Sequence, residues 1–91
     1  MRTKKWNVEI VITESDRTTV AEARLRGQNA EVFVGEGTAH RNRADQDVPH
    51  IGDELAVARA LGGVSHGLLH EVAAEIETRT GERVPRLRGW A

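Results

Sequence analysis

Apolar and polar residues alternate strictly from residue 6 to residue 13. Trp6, Val8, Ile10 and Ile12 fall on one side, and Asn7, Glu9, Val11 and Thr13 on the other. A period of two marks a half-buried strand. Glu14-Ser15-Asp16-Arg17 follows, a run rich in side chains that hydrogen-bond their own backbone, and it predicts a turn. Alternation resumes over 18–26, with Ala21, Ala23 and Leu25 sharing a face. A four-residue turn closes this hairpin with Ile10 opposite Ala21, Val8 opposite Ala23 and Trp6 opposite Leu25. That register gathers the apolar residues on one side, which is what fixes a register physically. The other side pairs Asn7 with Arg24 and Lys5 with Arg26.

Gly27-Gln28-Asn29 predicts a second turn, and a third strand follows over about 31–40. Two phases are open to it. One buries Val32, Val34 and Thr38 and brings Glu36 with them; the other buries Phe33, Gly35, Gly37 and Ala39. The first is the expectation, with Glu36 near the sheet edge where water reaches it.

Past a polar loop at 41–48 the period changes. Pro49 suits a first helical turn, where its missing N–H costs nothing. Asp53 and Glu54 are placed for a favourable interaction with a helix N-terminus. Ile51, Leu55, Ala58, Gly62, Ser65, Leu69, Val72 and Ile76 recur in alternating steps of four and three. The spacing predicts a helix over about 50–80, stopped by Gly81, with a tail at 82–91. A second stripe, Val57, Leu61, Val64 and Leu68, lies beside the first. Together the stripes span about 180°, against the roughly 100° that faces one core. Such a helix is about 45 Å long, whereas eight-residue strands reach only about 27 Å. Either the helix kinks at Gly62-Gly63 and folds back, or its overhang packs on a second subunit. A homodimer is the expectation, with Val57, Leu61, Val64 and Leu68 at its interface. The expected fold is α+β: three antiparallel strands and a long C-terminal helix, β-β-β-α, in a single domain spanning 1–91.

Composition narrows the function classes. At 91 residues the chain leaves much apolar surface uncovered, and with no cysteine it has neither disulfides nor thiolate metal ligands to compensate. Absence of cysteine fits a reducing cytoplasm. The basic start, Met1 to Trp6, leads into alternation and not into an apolar run, so no signal peptide is expected. No apolar stretch nears the roughly 20 residues of a membrane span. Thirteen Lys and Arg stand against 14 Asp and Glu, for a net charge of −1. The balance is uneven along the chain, mildly basic over 1–43 and mildly acidic beyond.

Candidate chemistry is sparse. His66 and His70 stand four apart on the helix, a metal-ligand spacing, but no third ligand accompanies them, and no metal or cofactor is expected. Gly35-Glu36-Gly37 lies inside a strand and lacks the third glycine of a phosphate-cradling loop. Ser15 in a turn and Ser65 on the helix have no evident base, and with Cys and Tyr absent an enzyme is not expected. Basic residues offer more. Lys5, Arg24 and Arg26 share the outer sheet face, Arg41 and Arg43 extend it from the loop, and such a face can follow phosphates. Arg83, Arg86 and Arg88 make a basic tail beside Trp90.

The segment Pro49–Leu61, PHIGDELAVARAL, together with Ala23–Arg26, ARLR, resembles a family of small actinobacterial proteins of unknown function. These are described as having a fold like the double-stranded-RNA-binding domain and are similar in architecture to ribosome hibernation factors. Some are associated with dormancy and low-oxygen stress. The resemblance implies three strands and a C-terminal helix, a dimer, and a stress role at the ribosome.

Overall fold

The structure, a computed structural model, describes residues 1–41 and 49–83. Three strands, β1 (Val8–Ser15), β2 (Thr18–Arg26) and β3 (Val32–His40), form an antiparallel sheet in the order β1-β2-β3, followed by one helix, α1 (Pro49–Thr80). This is the expected β-β-β-α arrangement.

The first hairpin closes two residues tighter than its sequence suggests. Ser15 pairs with Thr18, so only Asp16 and Arg17 make the turn, and Asp16 takes a φ of 53°. A two-residue hairpin loop matches the twist of its strands when φ is positive there, and Asp tolerates that region better than most residues. The register becomes Val8 opposite Leu25, Ile10 opposite Ala23 and Ile12 opposite Ala21. A slip of two keeps every side chain on its expected face but changes its neighbours. Glu9, not Asn7, now faces Arg24.

β3 takes the phase that was not expected. Gly35, Gly37 and Ala39 are buried and Phe33 half-buried, while Val32, Val34 and Glu36 are exposed on the other face. The reason is the helix. A Cβ on Gly35 would meet the Ala60 carbonyl oxygen and lie 2.7 Å from Val64 N. One on Gly37 would meet the Ala56 carbonyl oxygen and lie 2.6 Å from Ala60 N. The helix backbone rests directly on these glycines, leaving no room for Val32 or Val34 to turn inward. Arg59 ties the same elements together, its guanidinium donating a 2.6 Å hydrogen bond to the Thr38 carbonyl.

α1 runs unbroken through Gly62-Gly63 for 32 residues, so the kink allowed from the sequence does not interrupt it. At its start, Asp53 and Glu54 fall beyond the first turn, which holds no acidic residue. Gly81, at a φ of 72°, donates its N–H to the Glu77 carbonyl at 2.8 Å and ends the helix as expected. The buried side of α1 excludes the first apolar stripe and takes in only the edge of the second, Val57, Val64 and Leu68. It is a line of small residues, Gly52, Ala56, Ala60, Gly63 and Gly67, joined by Val64. Ile51, Leu55, Leu69 and Val72 are exposed instead.

The core is correspondingly thin: Ala21, Ala23, Leu25, Ala39, Ala56, Ala60 and Val64, with Phe33, Val57 and Leu68 packed against it. Gly37→Val should unfold the protein or cost upwards of about 3 kcal/mol, because the clash is with backbone that cannot swing aside. Gly62→Ala, where a Cβ meets nothing within 4 Å, should stabilise the helix by about 0.5–1 kcal/mol. Urea melts of the two variants against the parent check both signs.

Candidate functional site

The sheet has two faces, and the helix covers one. On the open face the register sets Glu9, Arg24 and Val34 in one row and Val11, Glu22 and Glu36 in the next. Arg26 faces Val32 at the end of the sheet. Three carboxylates therefore accompany Arg24 and Arg26, and the face is not uniformly basic. Arg24 donates from Nε to Glu22 Oε1 at 2.8 Å. That hydrogen bond and then the Glu22 charge hold the guanidinium pKa above its ordinary value against desolvation, with a smaller contribution from Glu9. Arg24 thus stays charged and forms a solvent-exposed ion pair with Glu22. Between the charges, Val11, Val32 and Val34 stand 47 to 55% exposed.

The structure brings together only some of the basic residues picked out in the sequence. Arg24 and Arg26 lie at one end of β2, and exposed Lys5 precedes β1 at the same end. Asn7, Val8, Glu9, Arg24, Arg26 and Val32 line a shallow open depression there. Arg41 lies at the far end, where its N–H donates to the Arg17 carbonyl at 2.8 Å. Arg43, Arg86, Arg88 and Trp90 fall outside the described residues. Among the described residues no group of three or more His, Cys, Asp or Glu is placed to hold a metal, and His66 and His70 are exposed.

The helix-side face holds the residues expected at a dimer interface. Val64 is 4% exposed within the chain's own core, Val57 and Leu68 pack against that core, and Leu61 alone of the four is exposed. The uncovered apolar residues on this face belong to the first strand: Val8, Ile10 and Ile12, 37 to 42% exposed, preceded by Trp6 at 50%. Their alternation was legible in the sequence. Their exposure was not, because it depends on where the helix lands. Among the described residues no helix is long and apolar enough to cross a membrane.

The Rv2632c-like family profile matches residues 4–85. The chain belongs to the Rv2632c-like family. Relatives in that family include the uncharacterised protein Mb1767 of Mycobacterium bovis, 47% identical over 75 residues, covering 82% of this chain and 79% of the relative. The uncharacterised protein Rv2632c of Mycobacterium tuberculosis is 38% identical over 84 residues, covering 92% of this chain and 89% of its own. A crystal structure of Rv2632c superimposes with a TM-score of 0.82 at 36% identity, covering 90% of this chain and 96% of that one. The Rv2632c-like fold of three strands and one long helix is thus found in a crystal structure as well. The actinobacterial origin implied by the resemblance agrees with these mycobacterial relatives.

One local consequence of the register is open to measurement. Glu22 and Glu36 are cross-strand partners, and like charges directly opposite one another destabilise a sheet. Glu36→Gln should therefore raise stability by about 0.2–1 kcal/mol, read as a higher urea midpoint with an unchanged m-value.

Proposed function

We propose that this Rv2632c-like chain is a non-catalytic homodimeric interaction module whose open sheet face docks a protein partner. The observation that carries this reading is the composition of that face: exposed Val11, Val32 and Val34 interleaved with charges of both signs, and Arg24 already bonded to Glu22. A phosphate-binding surface needs unpaired cations to displace counterions. A protein surface suits the mixture better, since apolar contacts supply affinity and the flanking charges set orientation. The partner's matching surface would be apolar, edged by both acidic and basic groups. The cysteine-free composition supports a cytoplasmic setting.

A second reading keeps the ribosome or structured RNA as the ligand, with a role in stress or dormancy as the family resemblance implies. It is favoured by the clustering of Lys5, Arg24 and Arg26 beside one depression at the end of the sheet. In that reading Arg26 and Lys5 make the phosphate contacts and Arg24 contributes least.

Two variants separate the readings. The tagged chain is incubated with nuclease-treated native extract, and in parallel a short RNA duplex is titrated at about 20 and about 150 mM salt. The first reading expects a partner of fixed stoichiometry after nuclease, lost in Val34→Asp and kept in Arg26→Glu, and no RNA binding at the higher salt. RNA or ribosome binding that persists at about 150 mM salt and is lost in Arg26→Glu would replace it with the second.

A further inference from the structure

β3 lies closest to the helix, and among the described residues no strand pairs with its outer edge. Two backbone bonds fix which of its groups point that way. Gly27 donates to the Glu31 carbonyl at 2.7 Å, and Arg41 donates to the Arg17 carbonyl at 2.8 Å. Both continue the register of the β2–β3 ladder, so the odd-numbered residues of β3 are the ones bonded to β2. In an antiparallel ladder, pairs that exchange hydrogen bonds alternate with pairs that do not. The N–H and C=O groups of Val32, Val34, Glu36 and Thr38 therefore face outward. Arg59 agrees with that direction, since its guanidinium reaches the Thr38 carbonyl from the helix at 2.6 Å.

The flank of α1 above this edge is basic. At 100° per residue, His66 and His70 each fall within about 20° of Arg59, about 10 and 16 Å further along the helix. Helix and strand run in opposite directions, with the Ala56 carbonyl over Gly37 and Gly67 adjoining Phe33. His66 and His70 thus stand beside the stretch from Gly35 to Phe33, and both are exposed. Among the described residues no carboxylate shares this line within the length of β3. Glu77 lies on it, but about 27 Å beyond Arg59. The Glu31 side chain folds back over Gly27, and Glu36 lies on the opposite, open face of the sheet.

We infer that the outer edge of β3 takes an extended acidic segment of a protein partner, added to the sheet as a fourth strand. An added strand lies about 4.8 Å outside β3, beneath the flank that carries Arg59, His66 and His70. Main-chain bonds to the outward groups supply affinity, and alternate side chains supply specificity. Apolar side chains of the segment fall beside Val32 and Val34, which are 47 and 49% exposed. Its carboxylates fall on the other side, under the imidazoles and the guanidinium. An imidazole N–H donates to a carboxylate in either protonation state, and Arg59 keeps donors beyond the one bonded to Thr38. Because the Thr38 carbonyl is already taken, pairing runs from Val32 to Glu36, a segment of about five residues alternating apolar and acidic.

The observations favour this occupant over two others. A row of alternating donors and acceptors at strand spacing matches a peptide main chain, whereas a phosphodiester backbone has no N–H groups to pair with it. A second copy of the same edge would bring one basic flank against another. The inference concerns a surface apart from the helix-side face of β1, and it does not rest on the docking of the open sheet face.

The test is a labelled, end-blocked peptide of alternating valine and glutamate, about seven residues long, titrated into the full chain and followed by fluorescence anisotropy. Binding should be saturable and at least about tenfold tighter than for the same peptide with lysine in place of glutamate. Proline at alternate peptide positions removes ladder donors and should abolish binding. Hydrogen exchange read by NMR should show the amides of Val32, Val34 and Glu36 gaining protection on binding, while those of Phe33 and Gly35 are protected beforehand. The double variant His66→Glu/His70→Glu, at exposed helix positions, should reverse the order so that the lysine peptide binds tighter. The inference is overturned if the glutamate peptide does not bind, if both peptides bind equally, or if the folded double variant keeps the original preference. Protection gained elsewhere in the sheet overturns it too, as does displacement of the peptide by a short RNA duplex at about 150 mM salt. Should the double variant unfold, the exchange pattern of the parent chain decides. The extract experiment with Val34→Asp and Arg26→Glu uses no peptide and this one uses no extract, so the two readings fail separately.

Discussion

The approach of the α1 backbone to Gly35 and Gly37 is the contact on which the rest of this molecule depends. With no side chain between them, helix and strand come closer than ordinary helix-on-sheet packing allows, and only Ala56, Ala60 and Val64 fit on the helix side. Close packing makes these contacts dense, and dispersion rewards density. The same smallness limits how much apolar area the core removes from water. No large side chain among the described residues is fully buried. Stability therefore rests on tightness in one place more than on bulk.

That tightness also decides what is left over. A helix drawn down onto β3 does not reach across to β1, and the larger residues displaced from its sheet side (Ile51, Leu55, Leu69 and Val72) face outward. In so short a chain such surface is a large share of the whole, which is the usual condition of small domains that stabilise by association. The open sheet face is different in kind. Its valines stand among charges of both signs, Arg24 being bonded to Glu22, and the proposed protein-docking reading rests on that mixture.

Much of the fold was legible from alternation and helical spacing, and the errors have identifiable physical origins. The faces of β1 and β2 follow from Val8, Ile10, Ile12, Ala21 and Ala23, because period two survives any even slip. The slip itself was hidden, since both a four-residue and a two-residue turn keep the apolar residues together; only the tolerance of Asp16 for positive φ distinguishes them. β3 and α1 misled for one shared reason. Hydrophobic patterning ranks positions by size, and here the buried positions are the small ones, so Val34 and Leu55 read as core and Gly35 and Ala56 did not. The alternation Gly35-x-Gly37-x-Ala39, matched by Ala56 and Ala60 one turn apart, was the available signal for close packing. Of the candidate site, the grouping of Lys5, Arg24 and Arg26 was legible. Glu9 and Glu22 fall on that face by alternation as well; what was not legible is that Glu9 stands directly opposite Arg24 and Glu36 opposite Glu22, which needs the correct register and phase.

The central proposal is that the inner face left bare by the glycine contact is completed by a second copy of the chain, so that folding and association are coupled. Thermal unfolding followed at about 1 and about 100 μM tests it most directly, since a midpoint linked to self-association rises with protein concentration. The account predicts a higher midpoint at the higher concentration. A midpoint that does not move, with reversible unfolding at both concentrations, contradicts it.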